Sequence, residues 1–121
     1  AIVKDDTLAW RLFQEALFSD YHDNQGGTTA EGIHASVMAA TLWIPLSTFA
    51  SLDLRQGTVT FRPRLPEHWE VLRFNFTWRK IDFHVCLTSN CLEITSSHDC
   101  EIALFEQSVF LQKQLTKIVN Y

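Results

Sequence analysis

Positive charge is scarce in this chain of 121 residues: ten lysines and arginines stand against fourteen aspartates and glutamates, for a formal net charge of −4. The cations are also scattered, so there is no basic stripe for a phosphate backbone and nucleic acid is excluded as a partner class. Cysteine is confined to Cys86, Cys91 and Cys100, an odd set without CxxC spacing. With 46% apolar residues the chain needs no disulfides, and a reducing cytoplasm is the expected compartment. Long apolar runs are missing. The longest stretch without a formal charge, Gly32 to Leu52, is interrupted by His34, Ser36, Thr41, Pro45, Ser47, Thr48 and Ser51, so no membrane partner is expected. Ala1-Ile2-Val3-Lys4-Asp5-Asp6 has no basic start before an apolar stretch, so no export signal is expected and the first residue reads as a cut end. No two histidines stand four apart on a helical pattern, and neither a metal nor a cofactor is expected. The length excludes a large multidomain enzyme.

All of the net charge lies in residues 1–56, which carry three basic and seven acidic residues, while 57–121 carry seven of each. Hydropathy changes period at the same place. Leu8, Ala9, Trp10, Leu12, Phe13, Ala16 and Leu17 recur at steps of three and four behind Asp5-Asp6, which predicts an amphipathic helix from about Asp6 to Ser19. A polar loop ending in Gly26-Gly27 follows. Thr28 and Glu31, three apart, have the spacing of a reciprocal cap on a helix's first turn, predicting a second helix from there to Pro45, with Leu46 to Leu54 as a short third.

Beyond Gly57 the period is two. Leu72, Phe74, Phe76 and Trp78 alternate with Arg73, Asn75, Thr77 and Arg79, and Ile81, Phe83, Val85 and Leu87 alternate with Asp82, His84 and Cys86. A tight turn at Arg79-Lys80 would join these as a hairpin, although neither turn residue is Gly or Asn. Further short runs bring the total to about seven strands. The fold class is therefore α+β: N-terminal helices in residues 1–56, then a small antiparallel β-sandwich in 57–121. Trp43 and Trp78 fit the apolar stripes and are assigned to the core, and Trp69 is expected to pack the sandwich onto the helices.

Gly26-Gly27-Thr28-Thr29-Ala30-Glu31-Gly32-Ile33-His34 places flexible backbone, two hydroxyls and an imidazole at a helix start. Free first-turn amides and the positive end of the helix dipole favour an anion there, and glycine lets a phosphate approach the backbone. The same residues also read simply as a capped helix behind a glycine turn, with Glu31 folding back on the chain.

The run Gly27 to His34, followed by Phe49-Ala50-Ser51-Leu52 and by Phe61-Arg62-Pro63-Arg64-Leu65-Pro66-Glu67-His68-Trp69-Glu70-Val71-Leu72-Arg73-Phe74, closely resembles the C-terminal part of glycoside hydrolase family 65, which includes maltose, trehalose and kojibiose phosphorylases. The match covers about residues 5 to 87. This resemblance implies a fragment: the last helices of an (α/α)6 barrel followed by the family's small C-terminal sandwich. The family's general-acid glutamate belongs to an earlier part of the barrel, so no catalytic residue is assigned to this chain. In the phosphorylases, phosphate attacks the anomeric carbon and inverts an α-glucoside to β-glucose 1-phosphate. The matching positions imply Gly27, Thr28, Thr29 and His34 as the phosphate-binding residues, with inorganic phosphate and an α-glucoside as the parent enzyme's partners. Some family members are hydrolases, for which Glu31 would have to serve as base. Ser51 and Lys80 stand where the family commonly has glycine.

Two other readings stay open. One is a stand-alone carbohydrate- or protein-binding sandwich module; the other is a small active enzyme using Glu31 or the His84 and Cys86 face. Helices taken from a barrel would also leave apolar faces around Trp10, Phe13, Met38 and Leu42 without partners, implying a homo-oligomer or dependence on the missing barrel.

Overall fold

Asp5 opens the first helix by accepting the Leu8 N–H on its carboxylate at 3.0 Å, with Asp6 adding negative charge to the first turn, where the helix dipole favours it. The computed structural model describes residues 5–22, 32 and 34–121. In it α1 spans Asp6–Phe18, closely as the apolar spacing predicts, and buries Ala9 and Phe13. The second helix, α2, spans Ala35–Ile44 and contacts α1. Its start differs from expectation. Gly32 sits at φ +98 and His34 is extended, so no helix passes through them and α2 begins at Ala35 rather than in the Thr28 to Glu31 turn. The expected Thr28–Glu31 cap lies outside the described residues.

Pro45 ends the α-helical ladder, and Pro45–Phe49 forms a single π-helical turn. The predicted third helix stops there, because Ala50 and Leu52 go into the sandwich core instead. Contacts divide the chain into two units, residues 1–48 and 49–121.

In the second unit the strands are β1 (Val59–Phe61), β2 (Leu72–Trp78), β3 (Ile81–Leu87), β4 (Cys91–Ser96), β5 (Cys100–Leu104), β6 (Gln107–Leu111) and β7 (Lys117–Asn120). They form a three-stranded sheet in the order β1-β5-β6 and a four-stranded sheet in the order β2-β3-β4-β7. Period-two apolar residues of both sheets meet in one core that includes Val59, Phe61, Phe83, Val85, Leu87, Leu92, Ile94, Ile102, Leu104 and Leu111. One pair departs from the expected antiparallel sandwich: β1 runs parallel to β5, with Val59 opposite Ile102 and Phe61 opposite Leu104. Alternation tells which side chains face inward but not which strand lies alongside. Here β2, β3 and β4 intervene in the other sheet before the chain returns beside β1.

The expected β2–β3 hairpin forms, with Trp78 opposite Ile81. Both turn residues are left-handed, Arg79 at φ 49 and Lys80 at φ 66, which is the backbone of a two-residue turn that suits the strand twist. The Arg79 guanidinium lies 4.4 Å from the Trp78 ring centre, an attraction that helps hold a conformation costing a non-glycine residue about 1–2 kcal/mol. Trp78 packs against the core as expected, whereas Trp43 is half exposed. The apolar residues of α2 surround the helix, and within this unit only a narrow stripe is covered.

The connector before β2 is held to the segment preceding β1. Arg64 donates its N–H to the Phe49 carbonyl at 2.7 Å, and the Trp69 ring meets Phe49 edge-on at 5.2 Å.

Candidate functional site

The glycine at position 32 is needed for its backbone rather than for space. At φ +98 it lies in the left-handed region, and a Cβ there would meet no atom within 4 Å. Two residues on, His34 takes the N-cap position of α2, its carbonyl accepting the N–H groups of Val37 and Met38 at 3.0 and 3.1 Å. Its own N–H donates to Asp20 Oδ2 at 2.6 Å, and its ring Nδ1 lies 3.2 Å from Asp20 Oδ1. Asp20 is 8% exposed. The end of α1 thus supplies a buried carboxylate that grips the residue opening α2 by both backbone and ring. At a helix start the first-turn amides and the dipole favour negative charge, and here the Asp20 carboxylate supplies it.

Of the residues assigned to phosphate, His34 has this defined setting, while Gly27, Thr28 and Thr29 lie outside the described residues, as does Glu31. Asp20 was not singled out from the sequence. It stands fourteen residues from its partner, inside a polar stretch that reads as a loop, and no spacing rule links the two.

The His84 and Cys86 face does not form a thiol–imidazole pair in the described geometry. His84 Nδ1 is 2.9 Å from Asn75 Oδ1 across the hairpin, and the neighbouring Asp82 accepts the Thr77 hydroxyl at 2.6 Å. Among the described residues, no three His, Cys, Asp or Glu side chains converge as metal ligands, and no helix is long and apolar enough to cross a membrane.

On the three-stranded sheet an open groove of about 400 Å³ is lined by Thr58, Thr60, Arg62, Glu101, Phe105 and Ser108, among others. At its edge the Asp53 carboxyl is held at about 2, first by the Arg55 side chain and then by the Arg55 N–H; both hydrogen bonds stabilise the charged form. The fork is bidentate, at 3.0 and 2.8 Å. Elsewhere in this unit, burial pushes the Tyr121 hydroxyl up to about 12 and raises the Cys100 thiol.

Residues 52–111 match the family model described as glycosyl hydrolase family 65, C-terminal domain. The chain is also 39% identical over 97 residues to a trehalose 6-phosphate phosphorylase of Lactococcus lactis, an alignment covering 80% of this chain and 13% of that protein. This chain belongs to glycoside hydrolase family 65, as a C-terminal part of it. A kojibiose phosphorylase of Caldanaerobacter subterraneus is 35% identical over 78 residues, 64% of this chain and 10% of that protein. An α,α-trehalose phosphorylase of Thermoanaerobacter brockii is 30% identical over 96 residues, 78% of this chain and 12% of that protein. A solved structure assigned as a kojibiose phosphorylase from the human microbiome has the same fold, with a TM-score of 0.80 at 19% identity, over 96% of this chain and 17% of that one. The family 65 chain therefore spans about an eighth of the length of the curated relatives it matches.

Proposed function

We propose that this chain is the C-terminal fragment of an inverting family 65 glycoside phosphorylase. The parent reaction is phosphorolysis of an α-glucosyl disaccharide to β-glucose 1-phosphate. Residues 1–56 are read as the closing helices of the (α/α)6 barrel and 57–121 as the C-terminal sandwich, with Gly27, Thr28, Thr29 and His34 as the part of the phosphate-binding loop that this chain retains. The general acid lies in an earlier part of the barrel, so the fragment alone is inactive. The observation that carries the reading is His34 at the N-cap of α2, in a chain whose relatives are named as phosphorylases. Phosphate titration by calorimetry or NMR tests it, comparing the intact chain with Thr28→Ala and His34→Ala. Saturable binding lost in both variants is expected; a well-folded chain that binds no phosphate would refute it.

A second reading, a sandwich that binds carbohydrate by itself, is favoured by the groove on the three-stranded sheet. There Thr58, Thr60 and Ser108 offer hydroxyls, Arg62 a donor and Phe105 an aromatic lip. Saturable binding of a glucosyl oligosaccharide, unaffected by phosphate and lost in Thr60→Val, would favour it over the first.

The exposed Leu42 and Trp43 support association with the remaining barrel or with a second copy. A monomer in light scattering at all concentrations would exclude the second copy.

A further inference from the structure

The turn joining β5 to β6 carries a phenylalanine where glycine would be cheapest. Phe105 is the first of the two residues between the paired Leu104 and Gln107, and its φ of 54 is a left-handed backbone that costs a residue with a side chain about 1–2 kcal/mol. Its N–H is held by the Phe61 carbonyl at 2.7 Å, and its ring meets Tyr121 edge-on at 5.3 Å. The ring is nonetheless 38% exposed, and it lines the groove of about 400 Å³ on the outer face of the three-stranded sheet. We propose that Phe105 is the platform on which an uncharged sugar ring stacks in that groove, with Glu101 accepting the sugar's hydroxyls from the opposite end. This rests on the second reading above, that the sandwich binds carbohydrate, and adds to it the class of sugar and the two residues that select it.

Strand register builds the groove. Thr60, Ala103 and Ser108 stand side by side across β1, β5 and β6, on the face opposite Val59, Ile102 and Val109, which pack into the core. These three small side chains make a low floor. Along β5, Glu101 lies two residues before Ala103 and Phe105 two residues after it, so a carboxylate and an aromatic ring bound the floor about 13 Å apart. The Ser108 hydroxyl donates to Glu101 Oε1, which holds the carboxylate over the floor; Oε2 and the Thr60 hydroxyl have no partner among the described residues. A sugar ring has hydroxyls round its rim and C–H bonds on its faces. It therefore matches acceptors at one end and the electron-rich face of an aromatic ring at the other, whereas an aliphatic ligand would cover these polar groups without pairing them. Charge narrows the class. Asp53, Glu101 and Glu106 line the groove against one guanidinium, Arg62, which lies 4.0 Å from Glu106, while Arg55 is engaged by Asp53. The excess is negative, so a phosphorylated sugar, carrying about −1.5 to −2 of charge at pH 7, is disfavoured.

The test is titration of the intact chain with maltose and with maltose 6′-phosphate, followed in ¹H–¹⁵N amide spectra and repeated in Phe105→Gly and Glu101→Gln. Maltose should shift the amides of Thr60, Ala103 and Phe105 saturably, and its phosphate ester should bind more weakly by about threefold or more. Phe105→Gly removes the ring at a backbone conformation that suits glycine, so the variant should stay folded and lose about tenfold in maltose affinity. Glu101→Gln keeps an acceptor without the charge and should narrow the gap between the two ligands. Undiminished maltose binding by Phe105→Gly, an ester that binds as tightly as maltose, a gap unchanged in Glu101→Gln, or maltose binding that leaves the three amides unmoved overturns the proposal, and each leaves the carbohydrate reading standing. No maltose binding by the folded native chain is the distinct result that overturns that reading and, with it, the role of Phe105. If Phe105→Gly unfolds, Phe105→Leu decides in its place: a loss of about tenfold supports the stacking role and undiminished binding overturns it.

Discussion

In residues 49–121, twelve apolar side chains from both sheets and the segment before β1 form one buried core, with Phe61, Leu87, Leu92, Ile94 and Leu111 almost wholly covered. Among the described residues of 1–48, Leu12, Leu17, Phe18, Leu42 and Trp43 are between 40% and 75% exposed, and the buried apolar residues are Ala9 and Phe13. Both regions are rich in apolar residues, yet one uses them internally and the other displays them. Two pleated sheets each bring a full apolar face to the other, whereas two helices cover only the stripe along which they touch. The sandwich is therefore the part whose stability should depend on its own packing. The helices carry more apolar surface than their own contact absorbs.

The largest expected effect follows from this difference. Phe61→Ala should cost about 3–5 kcal/mol in urea unfolding, because it empties a fully buried site between the sheets. Leu42→Ala, at a position 75% exposed, should change stability by less than about 0.5 kcal/mol. Comparable losses from the two variants would break the comparison.

A smaller gain is expected at the hairpin. Lys80→Gly relieves a left-handed backbone and should raise stability by about 1 kcal/mol, seen as a later urea midpoint with an unchanged slope.

Acid and alkali should sharpen the picture further within the sandwich unit. The folded state holds the Asp53 carboxyl at about 2, below its ordinary 3.8, so its pairing with Arg55 stabilises the fold fully above about pH 4 and is lost as pH falls towards 2. The pair lies at the surface, and Asp53→Asn should remove no more than about 1 kcal/mol from that acid limb. Tyr121 has the opposite sign. With its hydroxyl pushed up to about 12 from 10, the stability it contributes is complete below pH 10 and declines between pH 10 and 12. Tyr121→Phe should flatten that alkaline limb, while also losing the hydroxyl's hydrogen bond to the Thr88 carbonyl.

Glycine positions join sequence and structure most closely. The family resemblance places glycine commonly at positions 51 and 80, and the backbone there is left-handed, with Ser51 at φ 46 and Lys80 at φ 66. These are the conformations in which a side chain is costly, so a non-glycine residue at either position carries strain. By contrast, position 32, at φ +98, is occupied by glycine.

Local pattern determined a good deal: the bounds of α1, the Arg79-Lys80 hairpin, the sandwich's seven strands and the family itself. Each depends on residues near one another in the chain, whose period, caps or motif spacing suffices. Tertiary structure decided the rest. Trp43 fits an apolar stripe but is half exposed, since the stripe does not say whether anything covers it. The parallel neighbour of β1, the beginning of α2 at Ala35 and the grip of Asp20 on His34 depend on which distant segments meet. Such meetings are selected by burial and hydrogen bonding of the whole chain, a condition that no short stretch of sequence contains.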